Sequence, residues 1–230
     1  MGLIETARDP ATDRATGDGR RWLAVSPRTS YLILGGVVLV GLALRLLKFW
    51  DSVYADELST LYIVKGRSLG DALSIVSSDA EVSPPLSFIA SWLFAKLGSA
   101  PELIRLPSLI AGTMTIPLTF LVGRRAMNEV VGLIAAAIVA LSPFMVYFST
   151  EARGYALAII FVVASTLALL RAIDGRKRGW WIAYAIFSVL AMYSHYTATF
   201  PLLAQLLWVL WAVPGARKAA LGANLLSLVL

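Results

Sequence analysis

The chain has 230 residues, 58% of them hydrophobic and 15% charged, with a net charge of +6 and a mean hydropathy of +0.75. One water-soluble core of this size cannot hide so much apolar surface, and disordered, collagenous and disulfide-stapled classes fail on the same composition. The absence of cysteine excludes a disulfide framework, a thiolate metal site and a cysteine nucleophile, so the expected fold is an all-α, polytopic membrane helix bundle.

Residues 1–28 are polar, with Arg8, Arg14, Arg20, Arg21 and Arg28 set against Glu5, Asp9, Asp13 and Asp18. This composition predicts a disordered cytoplasmic tail. No small-residue cleavage site follows the first apolar run, so Arg20-Arg21 is not read as an export signal. Residues 29–230 form the membrane module. Its first span, Tyr31 to Trp50, has the roughly 20 residues needed to cross a bilayer. A long first outer loop, residues 51–104, leads into further spans at Leu103 to Val122, Val130 to Phe148, Gly154 to Leu170, Trp180 to Ser194 and Thr197 to Val213. A seventh begins near Ala219 and is cut off at Leu230.

Basic residues flanking apolar spans report topology rather than nucleic-acid binding. Arg124-Arg125, then Arg171, Arg176, Lys177 and Arg178, then Arg217-Lys218 fall between successive pairs of spans. Placing all three clusters in the cytoplasm with the N-terminus leaves the loop 51–104, the turn around Thr150 to Arg153 and the turn around His195 outside. Within the loop, Leu86, Ile89, Ala90, Leu93, Phe94 and Leu97 repeat at helical spacing, with Ser87, Ser91 and Lys96 off that face. Pro84-Pro85 opens this segment and Gly98 closes it, so it is a short helix lying in the interface. Leu69, Ala72, Leu73 and Val76 repeat the pattern one helix earlier.

The loop holds Asp51, Asp56, Glu57, Asp71, Asp79, Glu81 and Glu102, seven of the 14 acids, and outer loops poor in Lys and Arg account for part of that bias. Asp56-Glu57 sits just beyond the first span. A carboxylate at a lipid boundary is tuned toward general-base chemistry, and Asp56 could equally be the N-cap that starts the helix containing Leu58, Leu61 and Tyr62; both readings stand. Arg45 and Lys48, in the outer half of the first span, either snorkel to headgroups or form a cationic floor for a phosphate or for Asp56. The short turn carrying Glu151, Arg153 and Tyr155 is either a local ion pair or a set of donors for an anionic headgroup. Arg105 and the sole histidine, His195, are interfacial anchors or weaker contributors to the same site. One histidine without cysteine cannot build a zinc site.

The ordered set Ala43-Leu44-Arg45, Tyr54-Ala55-Asp56-Glu57-Leu58, Ser83-Pro84-Pro85-Leu86, Arg105-Leu106-Pro107-Ser108, Ser142-Pro143 through Glu151-Ala152-Arg153-Gly154-Tyr155, and Tyr193-Ser194-His195-Tyr196 covers residues 31–213. Together these segments resemble the polytopic glycosyltransferases of the C-type fold, closest to the protein-mannosyltransferase and aminoarabinose-transferase-like superfamily. Ser83 stands where that family often has histidine. The resemblance implies an inverting enzyme of the cell membrane that takes a sugar from a polyprenyl-phosphate donor to an acceptor hydroxyl on the outer face. Asp56 would be the base, and Glu57 would orient it or the acceptor. Arg153, with Tyr155, Arg105, His195 and Arg45 as weaker candidates, would receive the phosphate. Some relatives use a divalent metal in this loop; Asp56-Glu57 alone does not show one. The partners implied are the lipid donor, membrane lipids and a glycan, lipid or protein acceptor, with no nucleic acid. Family members run longer, so the chain reads as an N-terminal portion. The competing expectation is a secondary transporter or lipid-linked sugar flippase, which would show inverted repeats and broken spans.

Overall fold

The computed structural model describes residues 26–54, 56–78, 83–175 and 177–229. The N-terminal tail as far as residue 25, with Ala55, residues 79–82, Arg176 and Leu230, lies outside the described residues. Among the described residues there are helices and turns and no strand.

Helix α1 (Pro27–Phe49) starts where the Ser26 hydroxyl accepts the Thr29 amide at 3.2 Å, with Pro27 at a position that needs no donor. Three short helices follow in the first loop: α2 (Asp56–Val64), α3 (Leu69–Val76) and α4 (Leu86–Ala95). At 10 residues α4 is roughly 15 Å long, half a hydrocarbon core, so it does not span. Its Ser87, Phe88 and Ser91 are buried, while Leu93 and Leu97 point outward. A serine face turned inward and a leucine face turned outward is the polarity of a helix whose solvent is lipid.

A 3₁₀ turn (Pro101–Arg105) leads into α5 (Leu106–Ala126), and together they are apolar and long enough to cross a membrane. This is the central helix: 56% of its most apolar window is buried, against 22% for α1. It packs on α1, α4, α6 (Glu129–Leu141), α7 (Pro143–Ser149) and α8 (Tyr155–Gly175). Helix α9 (Arg178–Ser194) lies along α8, and a 3₁₀ turn (Tyr196–Ala198) opens α10 (Thr199–Ala212). The turn Pro214–Ala216 then bends the chain into α11 (Arg217–Val229).

Small residues line the helix contacts. A Cβ on Gly123 would come within 2.8 Å of the Gly132 Cα, so α5 and α6 touch backbone to backbone. This is how helices pack where apolar burial gives no driving force between them. Outside the bundle, Leu32, Leu39, Leu47 and Trp211 are exposed, as lipid-facing side chains are.

The predicted spans are modified in three places. Val130 to Phe148 is not one helix but α6 and α7, bent by 62° at Ser142-Pro143. The segments after His195, α10 and α11, are each too short to cross alone and are bent by 116° at Pro214–Ala216. Helix α9, at 17 residues, lies at the lower limit of span length. Among the described residues three helices are long and apolar enough to cross a membrane, or five if each bent pair counts as one span.

Arg45 explains how the first break is tolerated. Pro143 has no N–H for the Val139 carbonyl, and the bend removes the partner of the Ala140 carbonyl. Arg45 is completely buried; it donates from Nη2 to Val139 O at 3.3 Å and from Nη1 to Ala140 O at 3.2 Å and Gly41 O at 2.8 Å. Its charge also sits at the negative end of the α6 dipole. Arg45→Met is expected to destabilise the fold by about 2 kcal/mol through stranded carbonyls, read as a lower thermal unfolding midpoint in detergent; an unchanged midpoint would contradict the capping role.

Candidate functional site

The loop Thr150–Gly154, between α7 and α8, is fixed from three sides. Glu57, in the first turn of α2, is buried and accepts the Ala152 amide on Oε1 at 2.8 Å. Thr60, one turn further on, donates to the Ala152 carbonyl at 3.0 Å, so α2 grips both backbone groups of one residue. Ser108 of α5 donates to the Arg153 carbonyl at 3.3 Å. Gly154 abuts the end of α9, where an added Cβ would lie 2.0 Å from Ser194 O, so no side chain fits there.

Glu57 is itself anchored by Arg105. The guanidinium donates from Nε to Oε1 at 2.8 Å and from Nη2 to Oε2 at 2.6 Å, a bidentate pair with both side chains buried. Its remaining donors go to the carbonyls of Phe49 at 2.8 Å, Asp51 at 2.5 Å and Ser52 at 3.1 Å. All five N–H groups of Arg105 are therefore spent on the protein. One buried cation gathers the end of α1, the start of α2, the start of α5 and, through Glu57, the α7–α8 loop.

That frame brings together Asp56 and Arg153. The Asp56 side chain is 76% exposed at the N-terminus of α2, and its Oδ2 lies 3.8 Å from Arg153 Nη2, whose side chain is only 16% exposed. The separation is loose for an ion pair, which leaves the Asp56 carboxylate open to another partner. Tyr155 and His195 stack 4.4 Å apart, and Phe148 packs on Tyr155 at 4.4 Å. The His195 Nδ1 faces the Thr197 hydroxyl at 2.8 Å. Burial, aided by the positive charge of Arg153, holds the His195 imidazole below its usual pKa. Beside these rings a cavity of about 230 Å³ opens between α7, α8 and α10, walled by Phe144, Phe148, Tyr155, Val162, Ala198 and Pro201.

Two sequence-predicted residues are not presented with the rest. Arg105 has no donor left for a ligand, and Arg45 is sealed against the break of α6. Conversely, Glu151, read from the sequence only as half of a local ion pair, faces the acids of α2. Burial raises its carboxyl above the usual range; Glu57 and Asp56 add to this, against the Tyr147 hydrogen bond and Arg153. Its place two residues before Arg153 on a short turn was the available signal. Among the described residues no three His, Asp or Glu side chains cluster as a metal-binding group.

Apolar helices around a polar rim define a multi-pass membrane protein with a juxtamembrane site. Residues 82–230 match the family model described as dolichyl-phosphate-mannose-protein mannosyltransferase. The chain belongs to that family, and it is a glycosyltransferase of the C-type fold. The match begins after Asp56 and Glu57, so it covers Arg105, Arg153, Tyr155 and His195 but neither acid of α2. No curated protein and no solved structure matches the chain.

Glu57→Ala is expected to cost about 3 kcal/mol, because it strands a buried guanidinium. The double variant Glu57→Leu/Arg105→Met should cost less than the two single changes added together; additive losses in thermal unfolding would contradict the coupling. The pH dependence follows from His195. Its unfolded form takes up a proton near the ordinary 6.5, whereas the folded form does so only at lower pH. Stability should therefore fall as pH drops below 6.5 until the folded-state pKa is passed. His195→Gln should flatten that limb, as read from unfolding midpoints across pH.

Proposed function

We propose that the chain transfers a sugar from a polyprenyl-phosphate donor to an acceptor hydroxyl, with inversion, on the extracytoplasmic face of the cell membrane. The observation that carries this reading is the exposed Asp56 carboxylate beside the Arg153 guanidinium, in a chain whose family takes a lipid-linked sugar donor.

Asp56 takes the proton from the acceptor hydroxyl as its oxygen attacks the anomeric carbon. The bond from that carbon to the phosphate oxygen breaks on the opposite face, and its electron pair stays on the phosphate. Arg153 meets the charge that builds there. The cavity walled by Phe144, Phe148, Val162 and Pro201 gives the first part of the donor's hydrocarbon chain an apolar wall. Tyr155, shared by that cavity and the His195 stack, lies between the lipid and the cation. His195, with its pKa lowered, stays neutral near pH 7 and presents ring nitrogens rather than a second cation. Glu57 and Arg105 act as positioning residues, holding Asp56 and the Arg153 loop in register.

The broken pair α6–α7 is a feature a transporter would share. Its break, however, is capped by Arg45 and borders a void of only about 10 Å³, the space of a single water, rather than an aqueous path. In membranes supplied with a panel of polyprenyl-phosphate sugars, Asp56→Asn should reduce transfer by roughly 10²–10⁴-fold with expression intact. Arg153→Ala should reduce it by roughly 10²–10³-fold. Full transfer by either variant would remove its assignment.

A further inference from the structure

We propose that the end of the bundle remote from Asp56 holds a second site, which binds the phosphate of an acidic lipid headgroup. A cavity of about 650 Å³ lies there between α1, α5 and α8. Arg124 and Arg125 of α5 and Arg171 of α8 line it, together with Asp174 and Tyr31; Leu121 and Leu167 supply apolar wall.

Its depth follows from helix length. Arg124 lies 19 residues beyond Arg105 on the helical run Pro101–Ala126, which at about 1.5 Å per residue places it roughly 30 Å from the Glu57 anchor. That is about one hydrocarbon thickness, so a bundle with Asp56 at one headgroup level has this cavity at the other. Tyr31 and Trp180 sit at the same end, as interfacial aromatic residues do.

The guanidiniums are preset. Arg124 donates to the Tyr31 hydroxyl at 2.6 Å and pairs with Glu129 at 3.0 Å. Arg125 pairs with Asp174 at 2.7 Å, and Arg171 stacks over the Trp180 ring at 4.5 Å. Each of these contacts takes only part of an arginine's five donors. Three cations face two carboxylates, leaving the cluster positive. The α5 and α8 helices both end here, and their negative dipole ends would repel a phosphate if these arginines were absent. The leucine walls suit a phosphate that carries a glycerol and acyl chain, and offer nothing to a free ion.

This site is independent of the sugar-transfer reading, so its test needs no activity. The purified full chain in detergent is titrated with phosphatidylglycerol or with phosphatidylcholine of the same acyl chains, and bound lipid is counted by native mass spectrometry. Phosphatidylglycerol should be retained about tenfold more tightly. R124Q/R171Q should lose most of that preference, whereas R217Q, which changes a basic residue outside the cavity, should keep it. Equal retention of the two lipids by the wild-type chain overturns the proposal without any variant, and covers the case in which R124Q/R171Q fails to fold. Equal loss in R217Q also overturns it. Displacement of phosphatidylglycerol by equimolar inorganic phosphate would make this a free-anion site and overturn the lipid assignment.

Discussion

The buried pair between Glu57 and Arg105 is the contact on which the arrangement of the site depends. An ion pair taken out of water is stable only when its remaining donors and acceptors are met, and here they are. Arg105 spends its other donors on three carbonyls where α1 runs into the loop, and Glu57 spends its spare acceptor capacity on the Ala152 amide. Four segments distant in sequence are thus tied at one point. The pair leaves Asp56, the next residue along, outside the knot and exposed. The division between a locked glutamate and an open aspartate is a consequence of burial, not of residue type.

A second constraint lies one turn deeper. The bend at Pro143 swings α7 out of line with α6, and α7 leads directly into the loop that carries Arg153. A broken helix in a low-dielectric interior exposes carbonyls that water cannot reach. Arg45 satisfies them, so a charge that is costly in a membrane span here offsets a cost of the same kind. The two buried arginines have parallel roles: each stabilises irregular backbone that positions the site, and neither is placed to meet a substrate.

Much of this was legible in the sequence because it rests on composition and period. The all-α membrane bundle and the short helix α4 follow from hydropathy and from 3.6-residue spacing, and span order puts the Asp56 loop and the Glu151–Arg153 turn at the same end of the bundle. What was not legible depended on side-chain partners. Arg45 and Arg105 carry the same charge as Arg153, and nothing local distinguishes a guanidinium that caps carbonyls from one that faces a ligand. The bend at Ser142-Pro143 was visible as a proline, yet the apolar run on both sides masked it as one span. Glu151 was visible as half of an ion pair on its turn, but the acids of α2 that it faces lie almost a hundred residues away in the chain.

The account stands on Asp56 and Arg153 sharing one rim. These 230 residues hold no cysteine, so a pair introduced at Asp56 and Arg153 would be the only thiols among them. Treatment of membranes with a short bifunctional thiol reagent should join the two positions within one chain, and should fail for a control pair at Asp56 and Arg124, at opposite ends of the bundle. Absence of the first cross-link, or equal yield from both pairs, would contradict it.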